Sequence, residues 1–240
     1  MITLWGKREL LVAEQKLKTL INHPFEVMKK YGYAAQEKLA GYRIPRLNHN
    51  YERFFQVERD DVVIDVGAHI GLFTISIAAK AGKVLAIEPE PRNLHYLRYN
   101  ISTRSLDNVL IVEKAVWNRK KKLPLYLSNA SGNHSLIHDM QPLNTSITNC
   151  FITVETDTLD NIVSELNLMH VDFIKMDIEG AEIEALEGAK ETLKKTSKIA
   201  IASYHKRNGT KTSTDITRKL VKSRFQTYAT TDDIVYGYKK

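Results

Sequence analysis

Asp65-Val66-Gly67-Ala68-His69-Ile70-Gly71 follows the apolar run Val62-Val63-Ile64 and leads into Leu72-Phe73-Thr74-Ile75-Ser76-Ile77-Ala78-Ala79. The order reads as strand, glycine turn and helix. An acidic residue closes the strand, and the glycines Gly67 and Gly71 follow at the spacing G-x-x-x-G. Glycine adopts positive φ without strain and lets a backbone approach its neighbour closely. Open parallel sheets bind ligands at the carboxyl ends of their strands. The stretch therefore predicts a site for a nucleotide-like cofactor.

Strands alternating with helices continue downstream. Val62–Val66 is the first strand and Val84–Ile87 the second, followed by a helix that puts Leu94, Leu97 and Ile101 on one face. Val109–Val112 is the third, running on toward Val116. Residues 123–156 are less regular, with strands at Leu123–Leu127 and Phe151–Val154 flanking a polar loop. A helix follows with Leu159, Ile162, Val163 and Leu166 on one face and Asp157 as its cap. The fourth core strand is Val171–Ile178, and the next helix carries Ile183, Leu186 and Leu193. Ile199–Ala202 is the fifth strand, and a helix spans roughly Asp215–Val221. Phe225–Thr230 and Ile234–Tyr238 form a closing hairpin around Thr231-Asp232-Asp233. The strands are apolar on both faces, as in a parallel sheet covered on both sides. The pattern predicts an α/β, doubly wound, mostly parallel seven-stranded sheet with an antiparallel C-terminal hairpin.

Upstream, residues up to about Arg46 have helical period, with Leu10, Ala13, Leu17, Leu20 and Ile21 on one face. Pro24 can open a second short helix, and Gly41-Tyr42-Arg43-Ile44-Pro45 is a break. The chain thus divides into an N-terminal helical extension, 1–50, and a main domain, 51–240. The extension is expected to act as a substrate cap or a homodimer contact.

The glycine spacing excludes the G-x-G-x-x-G of a dinucleotide site, and no Gly-Lys-Ser/Thr follows for a P-loop. Glu88 ends the second strand about 20 residues past the glycines, the spacing of a carboxylate that accepts ribose hydroxyls. An acidic glycine turn with an acidic second strand end suits an adenosine without phosphates. S-adenosylmethionine fits, with Glu88 on the ribose and Gly67 and Gly71 close to the methionine part. The plain alternative is that Asp65 caps a helix and Glu88 merely precedes Pro89.

The region from Asn50 to His205 resembles the FkbM-type methyltransferases, within the class I S-adenosylmethionine-dependent fold. Val63–Thr74 is similar to that family's first motif, and Ala86-Ile87-Glu88-Pro89 to its second. Lys114-Ala115-Val116-Trp117 resembles the third, and the Asn129–Ser135 loop a further family segment. Thr156-Asp157-Thr158-Leu159-Asp160 and Lys175-Met176-Asp177-Ile178-Glu179-Gly180-Ala181-Glu182 are the most family-specific stretches. The resemblance implies O-methylation of sugars or other hydroxylated metabolites. It also implies cofactor binding by Asp65, Gly67, Ala68, His69, Gly71, Glu88 and Pro89, with Ala115 beside the adenine. The chain departs from the family after the fifth strand: Ser203-Tyr204-His205 stands where many members have Glu-x-His.

If Val171–Glu179 is extended, Lys175, Asp177 and Glu179 point to one side. A lysine inside an apolar parallel strand is costly unless paired, and Asp177 is the expected partner. Methyl transfer to a hydroxyl needs alignment and a base for the departing proton. Lys175 and Asp177 are the expected polar pair at the acceptor, with His205 as a further candidate base and Glu179 and Glu182 on the substrate side. The alternatives are a buried ion pair joining strand and helix, and a hydrogen-bonded structural histidine. Glu182 also suits the first turn of a helix through the dipole alone. Asn129, Ser131, Asn133, His134 and Ser135 form either a lid or a plain loop. Tyr51, Glu52, Phe54 and Phe55 either cover the cofactor or fill the core.

No metal is expected. The chain lacks a zinc-spaced His/Cys cluster; the Asp177, Glu179 and Glu182 carboxylates could bind Mg²⁺ in principle, but pairing with Lys175 gives them a better account. Composition is that of an ordinary globular protein of 240 residues, 43% hydrophobic and 26% charged. Its lone cysteine, Cys150, excludes an internal disulfide and points to a reducing compartment. The N-terminus has no long apolar run, so neither a signal peptide nor a membrane span is expected, and a cytoplasmic location follows. The net charge of +7 is spread along the chain, which reads as solvated surface or as attraction to an anionic partner. Hence an RNA methyltransferase on the same sheet is the second functional reading, below a small-molecule or glycan hydroxyl acceptor. A non-catalytic module is the third.

Overall fold

The computed structural model describes residues 50–128, 132–138, 150–207, 209–231 and 233–239. The expected N-terminal helices and most of the polar loop lie outside these residues. In chain order the elements are β1 (Val62–Val66), α1 (Leu72–Ala78), β2 (Lys83–Ile87), α2 (Pro91–Ser102), β3 (Val109–Val112), β4 (Ala115–Val116), β5 (Lys121–Tyr126) and β6 (Phe151–Asp157). Then come α3 (Leu159–Glu165), β7 (Val171–Met176), α4 (Glu182–Glu187), α5 (Lys190–Lys194), β8 (Thr196–Ala202), β9 (Lys206–Arg207), β10 (Thr210–Lys211), α6 (Ser213–Lys222), β11 (Gln226–Ala229) and β12 (Ile234–Tyr238).

Seven strands form the main sheet in the order β11-β12-β8-β7-β1-β2-β3. Neighbours from β3 to β8 are parallel, and β12 runs antiparallel to both β8 and β11. The closing hairpin therefore enters the sheet with its second strand inward, and β11, not the reversed strand, forms the edge. Alternation along each strand divides the core. Ile64, Val66, Ile174, Met176, Ile199 and Ile201 face α3 to α6, whereas Val63, Phe173 and Ala200 face α1 and Tyr236. Each buried Ile, Val, Met or Phe among these contributes roughly 1.5–3 kcal/mol relative to exposure. No helix among the described residues is long and apolar enough to cross a membrane.

Four local expectations change. The irregular stretch after β3 forms a separate three-stranded sheet, β4-β6-β5, with a small core of Ala115, Leu125 and Val154. Strand β3 does not run on to Val116. Thr158, not Asp157, caps α3: its side chain accepts from the Asn161 N–H. Asp157 is fully buried and instead receives Lys114 Nζ at 2.9 Å. The helix expected after the fourth strand breaks into α4 and α5 at Gly188, which packs so closely on Trp117 that a Cβ there would stand 2.3 Å from the Trp117 carbonyl oxygen.

Candidate active site

The turn after β1 is left-handed at Gly67 (φ 79°), His69 (φ 55°) and Gly71 (φ 89°). Gly67 and Ala68 both donate backbone N–H groups to the Ile87 carbonyl, tying the turn to the end of β2. On its other side Asp177 N–H donates to the Val66 carbonyl at 3.0 Å. A Cβ on Gly67 would meet the Asp177 carbonyl oxygen at 2.0 Å, and one on Gly71 would meet Leu97 of α2 at 2.6 Å. Close approach is thus needed at both glycines, but the neighbour at each is the protein itself. Of the two, Gly67 lines the cavity.

Lys175 does not pair with Asp177. Strand register sets Lys175 beside Asp65 on the adjacent strand, on the same face of the sheet. Lys175 Nζ lies 2.9 Å from Asp65 Oδ1 and donates to the Gly67 carbonyl at 2.7 Å. Asp65 is fully buried, and its Oδ2 accepts from Thr74 Oγ1 at 2.6 Å. Oδ1 makes an ion pair with the lysine without an aligned hydrogen bond. Asp65 therefore sits beneath the turn and fixes it from below, outside the cavity lining.

Above the turn lies a cavity lined by Gly67, Ala68 and His69, by Glu88 and Pro89 at the end of β2, and by Ala115 of the small sheet. These are residues the sequence assigned to the cofactor. The Glu88 carboxylate accepts from the His69 N–H (2.9 Å), the Glu90 N–H (3.0 Å) and Asn93 Nδ2 (3.2 Å). A carboxylate offers about four acceptor positions, so these bonds leave one on Oε2. Burial pushes Glu88 up to about 7 despite those donors. Burial likewise lowers His69 to about 3 and His134 to about 4, so both cavity imidazoles are neutral.

The far end of the cavity is acidic. Strand β7 stops at Met176, and Glu179 lies in the left-handed region (φ 52°), so Lys175, Asp177 and Glu179 do not alternate along one strand. The chain bends instead, and Asp177 and Glu179 converge on Tyr204. Its hydroxyl lies 3.1 Å from Asp177 Oδ1 and 3.2 Å from Glu179 Oε1. Tyr51 donates to Asp177 Oδ2 at 2.8 Å. Burial, then the Asp177 charge, raises both phenols well above 10, so both keep their protons as donors.

His205 follows β8 and stands between two acids. Nε2 lies 3.1 Å from Glu179 Oε2, and Nδ1 lies 3.2 Å from Glu182 Oε1. Burial alone would lower the imidazole, but Glu182 and Glu179 overcome it and push His205 up to about 11. A protonated imidazole has no lone pair to take a proton, which counts against the expectation of His205 as base. Glu182 is fully buried and accepts the Ile178 and Gly180 N–H groups through Oε1. It lies behind His205 and does not line the cavity, whereas Asp177 and Glu179 do. Among the described residues, Asp177, Glu179 and His205 bring ligand-type atoms within 4.8 Å of one another.

The sequence reading gave Tyr204 no role, although it lies between two named residues, and left Tyr51 between cover and core. Tyr51 lines the cavity, while Phe55 packs edge-on to Phe173 in the core.

A family model for the methyltransferase FkbM domain matches residues 65–228. The chain is 31% identical over 150 residues to the 2-O-methyltransferase NoeI of Sinorhizobium fredii, covering 57% of this chain and 60% of that protein. It is 27% identical over 191 residues to the hexuronic acid methyltransferase AglP of Haloferax volcanii, covering 77% and 73%. The crystal structure of a methyltransferase FkbM from Methylobacillus flagellatus superposes with a TM-score of 0.55 at 20% identity, over 78% of this chain and 45% of that one. That likeness carries the class I methyltransferase fold.

Proposed function

Because the chain belongs to the methyltransferase FkbM family, we propose that it is an S-adenosylmethionine-dependent O-methyltransferase acting on a hydroxyl of a sugar or other small metabolite. The observation that carries this reading is the Asp177 carboxylate at the cavity's far end, clamped by two phenol hydroxyls and unpaired with Lys175.

The donor set suits the methyl donor. Glu88 keeps one acceptor position for a ribose hydroxyl, and Pro89, Ala115 and Leu72 supply apolar walls for an adenine. Bound there, S-adenosylmethionine supplies an electrophilic methyl group on sulfur. The chain's own residues do the rest. Tyr51 and Tyr204 hold Asp177 in one orientation, so its carboxylate meets the acceptor at a fixed angle. Asp177 takes the hydroxyl proton as the acceptor oxygen becomes nucleophilic. Lys175 also lines the cavity, but Asp65 and the Gly67 carbonyl hold its ammonium, which favours a role in positioning the turn over that of the base.

The names of the relatives support an oxygen acceptor and a sugar: one is a 2-O-methyltransferase, the other a hexuronic acid methyltransferase. An acidic far end formed by Asp177 and Glu179 favours hydroxyl donors over the phosphates of RNA.

The test is transfer of labelled methyl from S-adenosylmethionine to fractionated glycans, small metabolites and RNA, paired with calorimetry of the cofactor. Label is expected in a hydroxylated small molecule or glycan. Asp177→Asn is expected to bind the cofactor within about threefold of wild type and to lose at least ~100-fold in turnover. Label found solely in RNA, or no heat with either the methyl donor or its demethylated product, would overturn the reading.

A further inference from the structure

We propose that Asp177, Glu179 and His205 form a divalent-cation site at the acceptor end of the cavity. The proposal rests on reading that end as the place where the acceptor oxygen sits. Lysine was the expected counter-charge for these carboxylates, but Lys175 belongs to Asp65 on the neighbouring strand. Three carboxylates, Asp177, Glu179 and Glu182, then surround one imidazole.

The geometry is that of a facial set. Adjacent donors on one ion at ~2.1 Å stand about 3 Å apart. Glu179 Oε2 and His205 Nε2 already stand 3.1 Å apart, and the three-residue set lies within 4.8 Å, so side-chain rotations that close the widest gap by up to about 2 Å bring them onto one centre. Asp177 and Glu179 face the cavity, which leaves the remaining coordination positions toward the acceptor.

Independent support comes from behind the cluster. His205 is more than nine-tenths buried and aims Nε2 at Glu179, yet its Nδ1 lacks an aligned hydrogen bond. That nitrogen lies 3.2 Å from Glu182, which is wholly buried and has its Oε2 unpartnered. A carboxylate beside the far ring nitrogen stands where the orienting partner of a metal-ligating histidine stands, and a small ring rotation would align the hydrogen bond that fixes its tautomer. Ligation needs a free lone pair on Nε2, so binding of the ion would displace a proton from that nitrogen. Two carboxylates and one imidazole suit Mn²⁺ or Mg²⁺, which prefer oxygen, over a closed zinc site. An ion there would polarise the acceptor hydroxyl and ease its ionisation.

The test uses the full chain, stripped with a chelator, without methyl donor or acceptor. Mn²⁺ is titrated while the free-ion signal is followed by electron paramagnetic resonance and heat by calorimetry. One bound ion per chain is expected. Glu179→Gln should weaken it at least tenfold, and Glu182→Gln, acting through His205, by 10–100-fold. Glu184→Gln, whose partner is Arg207, should bind as wild type does. Circular dichroism of each variant separates lost binding from lost fold. No uptake at millimolar Mn²⁺, or uptake unchanged in Glu179→Gln, overturns the cation site. Methyl transfer that persists undiminished in chelator would sink the cation site alone and leave the methyltransferase reading standing.

Discussion

Replacing Lys175 by methionine should destabilise the fold far more than replacing Asp177 by asparagine. Lys175 and Asp65 are both buried and 2.9 Å apart. Removing the lysine strands a carboxylate with no water around it, and breaking a buried pair from one side costs about 3–5 kcal/mol. Thr74 Oγ1 still donates to Asp65 in the variant, which places the expected loss near the lower figure. Neutralising both partners, Asp65→Asn with Lys175→Met, removes the stranded charge and should return the protein to within about 1–2 kcal/mol of wild type. Asp177→Asn keeps its phenol neighbours and relieves repulsion from Glu179, so a change under about 1 kcal/mol is expected. Urea unfolding followed by tryptophan fluorescence measures all of these, with midpoints compared at equal slope. The reasoning fails if Lys175→Met loses less than 1 kcal/mol, or if its coupling to Asp177→Asn exceeds its coupling to Asp65→Asn.

Gly67→Ala should weaken cofactor binding at least tenfold by calorimetry and lower the melting temperature, because the new Cβ would stand 2.0 Å from the Asp177 carbonyl at a φ of 79°. Tyr204→Phe removes the hydroxyl shared by Asp177 and Glu179; turnover should fall about 10–100-fold while cofactor affinity holds, a split that steady-state kinetics and calorimetry resolve together. Glu88 is raised from 4.5 to about 7 by burial, so the folded state holds its proton more tightly than the unfolded chain. Its contribution to stability is therefore complete below pH 4.5 and is lost as pH rises to about 7; melting temperatures across that window should fall less in Glu88→Gln than in wild type.

Strand interiors were legible because burial on both faces leaves apolar runs that turns and charges interrupt, as at Val62–Val66 and Val84–Ile87. Glu88 was legible for the same reason, since an acid at the end of such a run stands where the sheet opens. Lys175 was not. Its partner depends on the register between β1 and β7, a relation between residues about a hundred positions apart that no local spacing records. The arrangement of Asp177 and Glu179 was missed because a left-handed Glu179 ends the alternation, and a glutamate gives no local sign of positive φ. Tyr204 escaped notice because its role comes from the bend between β8 and β9, which brings its hydroxyl back to the end of β7.

Lys175 and Asp177 differ by two positions and both line the cavity, yet they take different partners, and one backbone contact lies at the junction between them. Asp177 N–H bonds to the Val66 carbonyl, while its own carbonyl fills the space a Gly67 side chain would need. The glycine turn and the end of β7 are therefore held at a fixed separation by main chain, without an intervening flexible side chain. Lys175 clamps the same junction from beneath through the Gly67 carbonyl and Asp65. In the proposed methyl transfer, in-line alignment would depend on this junction staying rigid. A change at Gly67 must then disturb Asp177 as well, even though a Gly67 variant alters no acid, base or ligand.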